Sequence, residues 1–286
     1  MNNFVYHHQL SPFLFQTEIA GQTVGVRWYG LAYVLGLWVA FATFRWAARR
    51  DVLRDFGDEA QGQFIIAVLL GVLAGGRLGY VVQHPQRVFA DPLYVFQVWE
   101  GGMAFFGGLV GVMLAMAWTT HRQRISFWRL ADVAAFPAAL GLGVGRLANF
   151  VNGELWGRPT HGDWGVIFPC ADALPHHPSQ LYEAASHFLL LGVLLWLSRR
   201  HPDWMRQKSG VVAAWFLLLY GILRVVTDFY RADDTYFGPF SSRQWASVVV
   251  AVAGFILLLR RFHRPLQELA APQKSLPLIS SQGKSV

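Results

Sequence analysis

The chain has 286 residues, 54% hydrophobic and 14% charged, with twelve tryptophans and a mean hydropathy of +0.33. Soluble domains carry about 25% charged residues, so this balance excludes an ordinary soluble globular protein. The net charge of +7 does not indicate nucleic acid, because the cations sit at the ends of apolar segments rather than in a patch.

In chain order, the opening MNNFVYHHQLSPFLFQ lacks the basic start of a cleaved signal peptide. Apolar segments then recur at 27–47, 61–82, 102–120, 128–151, 179–198, 209–230 and 242–260. Each is close to the roughly 20 residues a helix needs to cross about 30 Å of hydrocarbon. The expected fold is an all-α polytopic membrane protein with about seven transmembrane helices. Glycines every four residues, at Gly71, Gly75 and Gly79, at Gly107 and Gly111, and at Gly141 and Gly145, predict close backbone approach between helices. Pro178 and Ser179 fit the first turn of a helix. The lone Cys170, which has no intrachain disulfide partner, reads as a buried or interfacial small residue. Residues 1–264 read as one transmembrane domain, and 265–286, rich in Pro, Ser and Gln, as a disordered cytoplasmic tail.

Sixteen of the 24 lysines and arginines fall in four clusters. These are Arg45, Arg49, Arg50 and Arg54; Arg122, Arg124 and Arg129; Arg199, Arg200, Arg206 and Lys208; and Arg260, Arg261, Arg264, Lys274 and Lys284. They follow segments one, three, five and seven, so all four lie on one side, which the positive-inside rule makes cytoplasmic. The N-terminus and the loops near 83–101, 152–178 and 231–241 then face outward, and the C-terminus inward. No internal repeat is visible, which argues against a transporter built from two similar halves.

The other eight cations are all arginines: Arg27, Arg77, Arg87, Arg146, Arg158, Arg224, Arg231 and Arg243. Arg27, Arg87, Arg158 and Arg243 read as snorkelling to the interface. Arg77, Arg146 and Arg224 lie further inside apolar runs, where a charge costs about 2.5–3.5 kcal/mol unless it meets a polar interior or a partner. Each is a functional candidate, with a structural ion pair as the competing reading. In LLLYGILRVVTDFYR, Tyr220, Arg224, Asp228 and Arg231 follow at intervals of four, four and three and share one helix face. In GRLANFVNGELWG, Arg146, Asn149 and Asn152 share a face until Gly153, with Glu154 just beyond. Two arginine stripes reaching one leaflet suit a phosphate anion, to which a planar guanidinium donates hydrogen bonds in pairs. The alternatives are that Arg224 and Asp228 only neutralise each other, and that Glu154 pairs with Arg158 four residues on. His176 and His177 have no Cys or carboxylate at ligand spacing, so no metal is expected. No G-x-S-x-G elbow is present either.

Several blocks, in this order, resemble the prolipoprotein diacylglyceryl transferases of bacterial inner membranes. They are RWYG at 27–30, GGRLGYV at 75–81, WEGGMAFFGG at 99–108, GRLANFVNGELWGRPT at 145–160, DWGVIFP at 163–169, HPSQLYEA at 177–184 and YGILRVVTDFYR at 220–231. The resemblance implies a seven-helix enzyme that moves a diacylglyceryl group from phosphatidylglycerol to the lipobox cysteine of a prolipoprotein signal peptide. A thioether forms and glycerol phosphate leaves. The partners are then those two substrates and the bilayer, with no cofactor and no nucleic acid. The resemblance carries phosphatidylglycerol binding and catalysis onto Arg146 and an essential role onto Arg224. It makes Tyr29, Asn149, Glu154 and Gly157 matching site positions, and Arg77, Tyr220 and Arg231 are grouped with them as substrate-binding. Asn152, Asp228, His177, Tyr182 and Glu183 read as support for the site.

Two positions depart from the family pattern. The family usually has histidine, assigned to proton abstraction, where this chain has Phe106, and many members have glutamate where it has Asp228. A phenyl ring takes no proton, so either another group activates the thiol or the chain is an impaired paralogue that binds phospholipid or prolipoprotein. An anion or lipid transporter is the third class.

Overall fold

The structure is a computed structural model that describes residues 4–19, 22–54, 56–97, 101–160, 162–232 and 235–262. Each apolar segment forms a helix. In chain order the helices are α1 (Trp28–Arg49), α2 (Asp58–Gln83), the short α3 (Pro85–Ala90), α4 (Phe105–Gln123), α5 (Phe127–Val151), α6 (Ser179–Arg200), the single turn α7 (Trp204–Gln207), α8 (Val211–Asp228) and α9 (Ser242–Phe262). Six of them are long and apolar enough to cross a membrane. The expected third segment, α4, falls short of that measure because its last turns read Thr119, Thr120, His121, Arg122 and Gln123. The outward faces are apolar: Leu70, Leu114 and Trp196 are each at least 60% exposed. Apolar exposure on this scale belongs to a surface that faces lipid. The chain is a multi-pass membrane protein.

The apolar core gathers at the end where α1 finishes. Phe44, Phe56 and Phe64 meet edge to face with ring centroids 5.1 to 6.2 Å apart. Leu130, Leu190 and Leu194 are fully buried in the same cluster, which ties α1, α2, α5 and α6 together. One carboxyl group enters this region with partners. Asp132, fully buried in α5, accepts hydrogen bonds from the Gly210 and Ala213 N–H groups at 2.6 and 2.8 Å, so it satisfies donors at the start of α8.

α4 lies along α2 through the glycine rows. A Cβ on Gly71 would sit 2.5 Å from the Gly111 carbonyl oxygen, and one on Gly79 would sit 2.9 Å from the Gly107 Cα. Both are closer than side chains tolerate, so the two backbones touch as the spacing predicts. Gly141 and Gly145 correct the third expected pair: a Cβ on either meets nothing within 4 Å. Spacing selects a helix face but does not supply a neighbour for it.

Short strands, absent from the all-helical expectation, dress the opposite end. β1 (Phe4–His7) pairs in parallel with β4 (Trp164–Ile167), β2 (Phe13–Ile19) forms a hairpin with β3 (Gln22–Arg27), and β5 (Tyr236–Phe237) pairs with β6 (Phe240–Ser241). Cys170, expected to be buried or interfacial, lies in the loop after β4 and is exposed, which removes the buried alternative. The tail at 265–286, with Lys274 and Lys284, lies outside the described residues.

Candidate functional site

Glu183 organises the strand-bearing end. Its side chain stands one turn into α6 and is 1% exposed. Oε2 lies 2.6 Å from Arg146 Nε on α5 and also takes the Arg224 guanidinium of α8. Oε1 accepts from Arg231 Nη1 at 2.8 Å. Asp228, one turn from Arg224, stands 3.1 Å from Arg224 Nη2 and 4.0 Å from Arg231 Nε, and both its oxygens lack an aligned donor. Three guanidiniums and two carboxylates thus converge from three helices and the turn after α8, where Arg231 lies past the helix end at Asp228 rather than on the helix face as expected. The two arginine stripes meet, so the reading in which Arg224 and Asp228 only neutralise each other covers one contact of several.

The turn after α5 sets the second layer. Asn149 is the link: its Oδ1 accepts from Arg146 at 3.4 Å, and its Nδ2 donates to Glu154 Oε1 at 2.7 Å. Asn152 reaches the same oxygen at 3.4 Å. The chain then reverses through Gly153 and Leu155, whose φ values are +67° and +59°. A leucine in the left-handed region is strained, and the start of α6 holds it there. The Ser179 hydroxyl donates to the Leu155 carbonyl at 3.1 Å, and Gln180 Nε2 donates to the Glu154 carbonyl at 2.7 Å. Glu154 makes no pair with Arg158, which donates to the Arg231 carbonyl at 2.9 Å and to the Tyr236 hydroxyl at 2.5 Å. Gly157 bridges to Arg231, and a Cβ there would run into the carbonyl oxygens of Tyr230 and His177.

The remaining expected residues divide into near and far. Tyr29 and Tyr33 line a cavity of about 760 Å³ that shares Asn152 and Glu154 with the turn. Tyr220 stacks on His187 at 5.8 Å. His177 Nδ1 lies 3.2 Å from the Tyr182 hydroxyl, and both rings pack against Tyr230. Burial, followed by the Arg158 charge, pushes the His177 pKa below the usual histidine range, so its imidazole is neutral at neutral pH. In the same loop the His176 ring holds Asp172 below the usual carboxylate range, with help from the Leu174 N–H. Arg77 stands apart from the cluster. It is 3% exposed and donates to the carbonyls of Val95 at 3.1 Å, Gly101 at 2.6 Å and Tyr94, clamping the loop between α2 and α4. Phe106 is 68% exposed at the start of α4 and contacts Phe105 edge to face.

Two features are stronger here than the sequence indicated. Glu183 was expected as support and is instead the hub. The available signal was a lone carboxylate inside an apolar segment, which demands a cationic partner. His187 lies four residues further along α6, on the same face, with Nδ1 buried and unpaired.

The sequence profile of the prolipoprotein diacylglyceryl transferase family matches residues 17–260. The chain is 37% identical over 278 residues to the phosphatidylglycerol–prolipoprotein diacylglyceryl transferase of Pseudoalteromonas atlantica, covering 93% of this chain and 95% of that protein. It is 41% identical over 258 residues to the enzyme of the same name from Nitrosomonas europaea, covering 88% and 90%. Against the one from Azoarcus sp. the identity is 40% over 267 residues, covering 90% and 97%.

Proposed function

This chain belongs to the prolipoprotein diacylglyceryl transferase family, and on that premise we propose that it transfers the diacylglyceryl group of phosphatidylglycerol to the cysteine thiol of a prolipoprotein lipobox. The observation that carries the site assignment is the convergence of Arg146, Arg224 and Arg231 on the buried carboxylate of Glu183. In this reading the thiolate attacks the glycerol carbon bonded to phosphate. The C–S bond forms as the C–O bond breaks, and the electron pair leaves with glycerol phosphate. Negative charge therefore grows on the phosphate oxygens, where guanidinium donors held in place beforehand need no reorganisation to receive it.

Arg146 is the most accessible of the three, at 22% side-chain exposure against 12% and 9% for Arg224 and Arg231. It is the first phosphate contact in this scheme, and Glu183 holds Arg224 and Arg231 in register behind it. Asn149 and Glu154 orient Arg146, while the Tyr29 cavity lies against the same turn. The lipobox signal peptide and the phospholipid then approach from the outer leaflet of the inner membrane, the side on which the positive-inside rule places this end.

The test is direct. Purified protein incubated with labelled phosphatidylglycerol and a lipobox peptide is expected to yield a peptide heavier by one diacylglyceryl group and resistant to hydroxylamine, as a thioether is. Arg146→Ala and Arg224→Ala are each expected to reduce the rate about 10²-fold or more. Label that binds without appearing on the peptide, at any pH, would overturn the reading in favour of a lipid-binding paralogue.

A further inference from the structure

At the end of the molecule away from the arginine cluster, a cavity of about 670 Å³ opens between α1, α5, α6 and the 202–206 segment. That volume falls in the range of sites that enclose small ligands, about 300–1,000 Å³. Its floor is apolar, with Phe136 and Met205 8% and 4% exposed, and Trp38 and Trp46 flank it on α1. From Trp38 to Arg50 the wall runs about 18 Å along the helix, at about 1.5 Å per residue, so the cavity reaches well into the hydrocarbon layer. Its rim carries Arg50, Arg199 and Arg206. Among the described residues no carboxylate lies within ion-pair distance of any of them. One polar atom inside is also unserved: the Ser198 hydroxyl is buried and has no hydrogen-bond partner.

We propose that this cavity is a second lipid site, which takes an anionic phospholipid from the leaflet opposite the arginine cluster. The acyl chain would lie against Trp38, Phe136 and Met205. The phosphate would sit among the rim arginines, and an ester or phosphate oxygen would accept from Ser198. The complementarity is of charge as well as of shape, since guanidiniums without acidic partners match a headgroup phosphate. It also argues against the chain's own last residues as occupant, because 263–286 carry Arg264, Lys274 and Lys284 against the single acid Glu268. The site is separate from the proposed phosphate site but shares its helices: α5 and α6 wall the cavity at one end and carry Arg146 and Glu183 at the other.

Native mass spectrometry of the full chain in neutral detergent tests this, with dioleoyl phosphatidylglycerol and dioleoyl phosphatidylcholine as probes. The exposed pair Arg50→Gln/Arg199→Gln removes rim charge without disturbing the core. Retention of phosphatidylglycerol at this site is expected to fall about fivefold for each arginine removed, and phosphatidylcholine binding is expected to stay unchanged. Thr43→Trp fills the cavity and is expected to lower the count of tightly held phosphatidylglycerol by one, both in the parent background and in Arg146→Gln, which separates this lipid from one at the arginine cluster. Equal retention by parent and rim variant overturns the proposal. So does equal retention of the two lipids by the parent, which would make the cavity an unselective crevice. A gain of bound lipid on truncation after Phe262 would name the tail as occupant instead.

Discussion

A carboxylate buried among guanidiniums has two contributions, one from its own ion pairs and one from the repulsion it suppresses between the arginines. Glu183 touches three of them, so Glu183→Gln leaves Arg146, Arg224 and Arg231 facing one another with only Asp228 between them. Breaking a buried pair in this way costs about 3–5 kcal/mol, and a correspondingly lower thermal midpoint in detergent is expected. An unchanged midpoint would mean that water already screens the cluster. Arg146→Lys and Arg224→Lys are expected to recover little of the rate lost in the Ala variants, because a point charge does not reproduce a paired guanidinium contact. Full activity in both Lys variants would leave simple charge balance as the better account. Phe106 raises a different question, since the ring occupies the position where the family pattern expects a base. It is exposed on α4, which packs chiefly along α2 rather than within the α5–α6–α8 cluster. A thiol with a pKa near about 8.5 is already a few per cent thiolate at neutral pH, and neighbouring arginines favour the anion further. The expected pH–rate profile of this chain therefore rises toward the thiol pKa, and Phe106→His is expected to gain most at the acid end. A silent parent beside an active Phe106→His variant would show that the base is indispensable.

Among the elements, α4 depends most on its glycines. Gly111→Val would force a branched side chain into the Gly71 backbone. Such overpacking costs about 1–3 kcal/mol or more, so a marked drop in thermal stability is expected. Gly141→Ala faces open space and is expected to be neutral, or to stabilise by up to about 1 kcal/mol through the unfolded chain. Equal stability of Gly111→Val and the parent would sink the close-packing argument. The contrast shows what kind of information the sequence holds. Helix positions were legible because bilayer thickness sets the length of every apolar run, and each run did become a helix. The two polar stripes were legible because helical periodicity assigns residues to faces. Which faces meet was not. Arg77 and Arg146 look alike in their apolar surroundings, yet one clamps loop carbonyls and the other meets a carboxylate 37 residues away in sequence. The strand pairs are not legible for the same reason: β1 and β4 are joined across more than half of the chain, through partners that no local pattern names.

For the molecule as a whole, stability and chemistry are divided between its two ends. The phenylalanine and leucine core lies at the basic end, together with Arg49, Arg50, Arg124, Arg199, Arg200 and Arg260. The buried ion pairs, the strained turn and the strand pairs lie at the other end, where the ends of α5, α6 and α8 carry the charges and the turns between them hold the supporting residues. This polarity fixes a testable orientation. Arginine and lysine bias retains its end of a membrane protein in the cytoplasm, so the ion-pair end is expected to face outward. A reporter fused after Arg264 is then expected to behave as cytoplasmic, and one inserted in the 158–176 loop as external. The loop insertion calls for a small accessibility tag rather than a folded domain, because Arg158, Thr160 and His176 are hydrogen-bonded to the backbone carbonyls of Arg231, Pro175 and Gly157 beside the site. If the tag is protected in intact cells and the fusion is exposed, the arginine cluster opens to the cytoplasmic leaflet. A signal peptide presenting its lipobox cysteine at the outer face would then be unable to reach it, and the transfer reaction proposed for this geometry would have to be given up.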